Sequence, residues 1–414
     1  MDKTIFVSLR FEIMDFERIR EDFPILRKEI EGKPIIYFDS ACQSLRPKQV
    51  LEAMNRYYED FPACAGRSIH KLATEVSIRI DEARGKLARF VNAEKPEEIS
   101  FVRNCTEALN TVIFGVGLKK GDVVLATDRE HNSVHVPLLK LKETTGIDYQ
   151  IVPSRDDETF NLDKFSEIAA ESRPRLVAMC HTSNVNGTTI PAKEVCKIAH
   201  ENGALVLLDG AQYVPYGGVD IKDIDTDFYA FSAHKMCGPS GVGILTGKYD
   251  ELSKIEPRTY GGHGISMATR KHADILPPPE RFEAGLQNYS GIIGTGAAAD
   301  YLSRIGRDWI VTHVNHLNRM ATEQLLKIPD LKIIEPGNPD LRSGILAFNI
   351  KKRNPHDIAM ILDNMENIMI RSGMHCSHSW FNDREIEGSA RASFYLYNTK
   401  DEISLFADTL RRLQ

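Results

Sequence analysis

The chain has 414 residues, 42% of them hydrophobic and 27% charged, with a net charge of −6. That length supports a large buried core divided over two units, and the composition is that of an ordinary soluble globular protein. The acidic balance gives no support for nucleic-acid binding through phosphate neutralisation, and no apolar run is long enough for a membrane span.

In chain order, the N-terminus MDKTIFVSLRFEIMDFERIR carries Asp2, Lys3, Arg10 and Glu12, which interrupt any signal-peptide core. No small-residue cleavage site follows, so a cytoplasmic location is expected. Met14 offers a second start, and residues 1–13 read as an extension or a mis-called start. Val76, Ile80, Ala83, Leu87 and Phe90 recur at spacings of three and four, which predicts a long amphipathic helix. Short apolar runs at 121–127, 175–181, 204–210, 227–232 and 242–247 predict buried strands, with helical segments such as 193–203 between them. Such alternation predicts an α/β unit with a mostly parallel sheet. After Gly285 the pattern changes to a smaller α+β unit, with strand-like runs at 343–350, 367–373 and 389–398. Its last helix opens on a capping box, Thr399 with Glu402. The seven cysteines are scattered without a C-x-x-C, which fits a reducing compartment and mostly buried thiols.

Two of the apolar runs end in unusual residues. LVLLDGAQ closes on Asp209 and Gln212, and DFYAFSAHKMCGPSGVGI carries Ser232, His234 and Lys235. A buried parallel strand turns polar this abruptly where it meets a ligand crevice. A lysine there suggests a Schiff base, and an aspartate on the next strand suggests a partner for a protonated ring nitrogen. Together they describe pyridoxal 5'-phosphate on Lys235, with Asp209 holding the pyridinium charge that makes the ring an electron sink. Singly, Asp209 reads as a helix cap and Lys235 as a surface lysine; the joint pattern favours the cofactor.

RNCTEALN (103–110) follows a strand-like stretch and opens a helix, so amides near Thr106 can face an anion. Read alone, Thr106 is an ordinary N-cap. His131 and His135 stand four apart, a spacing that suits a metal pair, but no third ligand follows and no metal is expected. RSGMHCSHSW places Cys376 in a polar loop between two strands, flanked by His375 and His378. A structural cysteine would sit in an apolar run, as Cys180 does, and a flanking imidazole favours the nucleophilic thiolate. A metal site of His375, Cys376 and His378 is the competing reading, although adjacent loop side chains rarely close one. Arg391, in SARASFYLYN, offers a bidentate clamp for an amino acid's α-carboxylate.

DGAQ, FSAHKMCGPSGVG, and the pattern R-x-G-x-H-C followed by R-A-S-x-x-x-Y-N resemble the class V aminotransferase-fold enzymes, specifically the SufS-type cysteine desulfurases. The resemblance runs over residues 15–414, with YFDSACQSLRP, GRSIHKL, DREHNSV, HTSNVNG and RFEAGLQN also in family order. It implies a fold-type-I pyridoxal phosphate transferase. An N-terminal segment (1–35) would pack on the small domain, 36–285 would bind the cofactor, and 286–414 would carry the cysteine loop. It also implies Thr106, Ser232 and His234 on the cofactor phosphate, Gln212 at the ring hydroxyl, and His131 stacked on the ring and taking part in proton transfer. Asn184 would join Arg391 on the substrate carboxylate. The thiolate matching Cys376 attacks the substrate's sulfur and keeps it as a persulfide. The implied activity turns L-cysteine into L-alanine in a homodimer and hands sulfur to an acceptor protein of iron–sulfur cluster assembly.

Four positions depart from the family. Gly66 and Met374 stand for histidines, Cys105 for a threonine, and Leu286 for a threonine whose hydroxyl reaches the partner subunit's phosphate. A selenocysteine lyase or a cysteine/cystine C–S lyase would share the cofactor site and give other products. A class V aminotransferase or epimerase would not need Cys376. A non-catalytic assembly partner is the alternative from another class, and the set Lys235, Asp209, Cys376 and Arg391 argues against it.

Overall fold

The computed structural model describes residues 16–413; the reading of residues 1–13 lies outside them. The apolar runs form one seven-stranded sheet. Its strands are β1 Ile99–Val102, β2 Val123–Thr127, β3 Asp148–Val152, β4 Leu176–Cys180, β5 Leu205–Asp209, β6 Phe228–Ser232 and β7 Gly243–Gly247. They lie in the order β1-β7-β6-β5-β4-β2-β3. Pairing is parallel from β6 through β3, while β7 runs antiparallel to both β6 and β1. The connection 233–242 holds only the short turn Ala233–Lys235, with no helix to carry the chain back for a parallel return.

Both faces of this sheet are covered, so its strands are apolar at consecutive positions. Val206 and Leu208 join one core with the helix Lys71–Val91, and Leu207 points to the other core with the helix Cys105–Gly115. Val76, Ile80, Ala83 and Leu87 are buried along the first helix as their spacing predicts, with Phe90 half-buried. Gly243 is required where this layer is tightest. A Cβ there would stand 2.3 Å from the Asn104 carbonyl carbon, so only glycine lets the helix Cys105–Gly115 begin directly against β7.

A second, antiparallel sheet lies further along the chain, in the order Leu331–Ile333, Ile345–Ile350, Ser389–Ser393, Arg371–Gly373. Ile358 and Leu362 of one helix, with Ile403, Phe406 and Leu410 of another, cover it. The latter helix begins at the Thr399–Glu402 capping box.

A seam at 285/286 does not coincide with a break in packing. The helix Tyr289–Ile305 buries Tyr289, Ile292, Ala299 and Leu302 in the large core. The next helix, Arg307–Leu325, gives Ile310 and Val314 to that core and Leu317, Ala321 and Leu325 to the small one. Its apolar stripe runs past the end of one sheet onto the other, so the two units share a helix. In the N-terminal segment, Phe23 and Leu26 are buried in the large core while Arg20 pairs with Glu402 at 2.6 Å.

Gly243→Ala is expected to lower stability by about 1–3 kcal/mol, because the Asn104 backbone has no room to retreat. A urea unfolding curve with an unchanged midpoint would contradict this packing.

Candidate active site

Strands β1 to β6 all end at the same edge of the large sheet, and a cavity of about 280 Å³ opens there. Every residue expected from the sequence to act in catalysis or to bind cofactor or substrate lines it, whereas His135 and His378 do not. Thr106 follows β1, His131 follows β2, Asn184 follows β4, Asp209 and Gln212 close β5, and Ser232, His234 and Lys235 close β6. Cys376 and Arg391 reach it from the second sheet. The first group sits at strand carboxyl ends, where open α/β sheets bind ligands.

Asp209 is 6% exposed, and its Oδ1 accepts from the Ala211 amide at 2.9 Å and from the Cys105 thiol at 3.3 Å. Cys105, which stands for a family threonine, thus keeps a donor on this carboxylate. Burial pushes the Lys235 pKa down and Asp209 opposes it, so the amine is held nearer its neutral, nucleophilic form than a surface lysine. Burial beside Lys235 also lowers His131 and His234 to about 4, so both rings are neutral at neutral pH. The Ser133 amide donates to His131 Nδ1 at 3.1 Å, which assigns the neutral ring's proton to Nε2. Gln212 donates to the Ala41 carbonyl at 2.8 Å.

Asn104, not Thr106, caps the helix Cys105–Gly115, its side chain accepting from the Glu107 amide at 2.9 Å. The chain is already extended at Asn104, so the cap falls two residues earlier than the threonine suggested, and Thr106 presents an exposed side chain to the cavity. The Cys105 amide donates to Ser232 Oγ at 2.8 Å, joining this helix end to β6.

On the opposite wall, Arg391 faces Arg371 in register on the neighbouring strand. Like charges directly opposite each other repel. Arg391 is 2% exposed; Asp39 approaches it at 3.5 Å, and its guanidinium donates to the Asn184 carbonyl at 2.8 Å. The paired guanidiniums of Arg371 and Arg391 give this wall a positive face suited to anions.

Cys376 lies between the strand Arg371–Gly373 and the short helix His378–Asp383, not between two strands. His375 and Cys376 both adopt the left-handed region, at φ 49° and 59°, which costs about 1–3 kcal/mol for each such residue. Three hydrogen bonds hold the loop there. Asn184 Nδ2 donates to the His375 carbonyl at 2.6 Å, the Asn132 amide to the Cys376 carbonyl at 2.7 Å, and Ser377 Oγ to Asn184 Oδ1 at 3.1 Å.

The imidazole expected beside the thiol is turned away. His375 Nε2 meets Ser389 Oγ at 2.8 Å, and burial near two arginines pushes its pKa down to about 2. The cation beside the sulfur is instead Arg371, with Nη2 at 3.8 Å from Cys376 Sγ and Nη1 at 2.8 Å from Cys42 Sγ. His131, His135 and His378 are likewise directed to separate partners: Ser133, Tyr149 and Asn132.

The donor set fits pyridoxal phosphate. A buried, low-pKa lysine faces a carboxylate, a helix N-terminus with hydroxyl and imidazole neighbours closes one end, and the wall charges complement two anions. Residues 36–406 match the family model for class-V aminotransferases. The chain belongs to that family. Pyridoxal phosphate is the family's cofactor, and the two-sheet α/β architecture is its fold. The chain is 37% identical over 402 residues to a probable cysteine desulfurase of Halalkalibacterium halodurans, covering 96% of this chain and 98% of the relative. It is 37% identical over 401 residues to a cysteine desulfurase of an Enterobacter species, covering 96% and 98%. Among solved structures, the apo cysteine desulfurase of Thermococcus onnurineus NA1 superposes with a TM-score of 0.91 at 34% identity, over 96% of this chain and 97% of that one.

Arg371, Cys42, Asp39 and Ser133 are among the residues in or beside the cavity to which the sequence alone gave no role. Arg371 opens the very pattern that contains Cys376. Cys42 shares the signal that marked Cys376, a cysteine in a polar segment.

Reduction with borohydride in the presence of pyridoxal phosphate should fix the cofactor on the peptide containing Lys235 and leave a Lys235→Ala variant unlabelled. Equal labelling of the variant would remove Lys235 from the site.

Proposed function

We propose that this chain is a cysteine desulfurase, converting L-cysteine to L-alanine with the sulfur retained as a persulfide on Cys376. One observation carries the reading: a single cavity holds Lys235 and Asp209 from the large sheet and Cys376 and Arg391 from the small one. When bound, pyridoxal phosphate supplies an electron sink for the substrate's α-carbon. Thr106, Ser232 and His234 would hold its phosphate, Gln212 its ring hydroxyl, Asp209 its ring nitrogen and His131 its face.

Arg391 and Asn184 orient the substrate through its α-carboxylate. Asp39 keeps the Arg391 fork in place, and the carboxylate neutralises charge that is otherwise unbalanced. Lys235 moves protons at the substrate's carbon atoms, since burial favours its neutral amine. Cys376 Sγ then attacks the substrate sulfur, and a sulfur–sulfur bond forms as the carbon–sulfur bond breaks. Arg371, at 3.8 Å from Sγ, faces the negative charge in that step.

The same proposal places the enzyme in the cytoplasm as a homodimer that passes sulfur to an acceptor protein of iron–sulfur cluster assembly. The homodimer is supported by Leu286, 68% exposed at the position where the family resemblance puts a partner-subunit contact. No helix among the described residues is long and apolar enough to cross a membrane.

L-Cysteine fed to the cofactor-loaded protein should yield alanine and protein-bound persulfide. Pyruvate without alanine would instead make the protein a C–S lyase, and a strong preference for selenocysteine would make it a selenocysteine lyase. Cys376→Ala should keep the cofactor's absorbance and lose the persulfide; unchanged turnover would exclude Cys376. Arg391→Ala removes one partner of a buried charge contact, a loss of about 2–5 kcal/mol, so kcat/KM should fall roughly thirtyfold or more. Sedimentation should give a dimer, and Leu286→Thr should slow cofactor loss on dialysis.

A further inference from the structure

Four of the seven cysteines line the cavity: Cys42, Cys105, Cys180 and Cys376. Cys105 and Cys180 are fully committed to the protein interior, and burial pushes both thiols well up. Cys42 is different. It is half-buried, and its sulfur accepts from Arg371 Nη1 at 2.8 Å, while Nη2 of the same guanidinium lies 3.8 Å from Cys376 Sγ. One cation therefore spans two accessible sulfurs that are far apart in the chain.

The segment carrying Cys42 is held firmly. Ser40 Oγ bonds Tyr397 OH at 2.7 Å, the Ala41 amide donates to Ser393 Oγ at 2.9 Å, and the Ala41 carbonyl accepts from Gln212 at 2.8 Å. Cys376 sits on a loop of two successive left-handed residues, held in place by its bonds to Asn184 and Asn132. Two thiols on separately anchored segments thus flank one shared positive charge.

We propose that Cys42 is a second sulfur-carrying thiol, which takes the terminal sulfur from a persulfide on Cys376. This rests on the desulfurase reading above. The Cys42 thiolate attacks the outer sulfur of the Cys376 persulfide; a new sulfur–sulfur bond forms on Cys42, and the old one breaks. Cys376 leaves as a thiolate and takes up the proton that Cys42 gave up. The exchange is an ordinary thiol–persulfide transfer with no net oxidation or reduction. Negative charge passes from one sulfur to the other through the step, and Arg371 faces both ends of that path. The transfer frees Cys376 for a second turnover before any acceptor arrives.

The test uses the cofactor-loaded enzyme with L-cysteine, without reductant or acceptor. Alanine is counted per subunit in the initial burst, and sulfane sulfur is mapped by mass spectrometry on alkylated peptides. The wild type should release close to two alanines, with sulfur on both the Cys42 and the Cys376 peptides. Cys42→Ala and the closer-sized Cys42→Ser should each halve the burst and leave sulfur on Cys376 alone. A wild-type burst of one, with sulfur confined to Cys376, overturns the relay and leaves the desulfurase reading intact. Cys376→Ala should carry no sulfur on either peptide; loading of Cys42 in that variant would overturn the order of transfer. A wild type that makes neither alanine nor persulfide overturns the desulfurase reading, and the relay with it.

Discussion

Asn184 joins the two sheets through three hydrogen bonds. Its side-chain nitrogen holds the His375 carbonyl, its side-chain oxygen receives Ser377, and its backbone carbonyl receives Arg391. Asn184 itself follows β4 on the large sheet, so the position of the Cys376 loop and of the Arg391 guanidinium is referred directly to the strand that neighbours Asp209. A site whose two halves came from separately mobile sheets would lose the ångström-level placement that chemistry needs. The helix Arg307–Leu325, buried in both cores, limits the same motion from the far side.

The cavity walls store electrostatic and conformational strain. Arg371 and Arg391 are cross-strand neighbours, and Asp39 supplies the facing negative charge to Arg391. Burying cations with incomplete partnering is costly, and two left-handed residues next to the thiol add to the cost. Anions entering the cavity relieve part of it. The strained features lie around the ligand space itself, which ties them to binding rather than to stability of the fold.

Much of the fold was legible because its signals are local. Buried strands show as short apolar runs, the helix Lys71–Val91 shows its stripe at helical spacing, and the Thr399–Glu402 box is contained within four residues. The orientation of β7 was not, because the strand's own residues look the same in either direction; the length and content of the preceding connection decide it. The shared helix was hidden for a similar reason. One apolar stripe does not say that its first half faces one sheet and its second half another.

The site divides along the same line. Lys235 and Asp209 could be paired from sequence because each ends a recognisable strand and adjacent parallel strands bring their carboxyl ends together. Cys376 stood out by its polar surroundings, and Arg391 by its match to a carboxylate. The partner of the thiol could not be read this way. Sequence adjacency pointed to His375, but the backbone's left-handed turn sends that ring to Ser389, and Arg371 takes its place beside the sulfur. Cys42 meets the same guanidinium from 329 residues away. The sequence by itself determined which chemical groups this protein owns and which local elements carry them. Only the tertiary structure decided which groups share a charge, because side-chain contact across two sheets depends on strand register and loop conformation, and neither is encoded in any one segment.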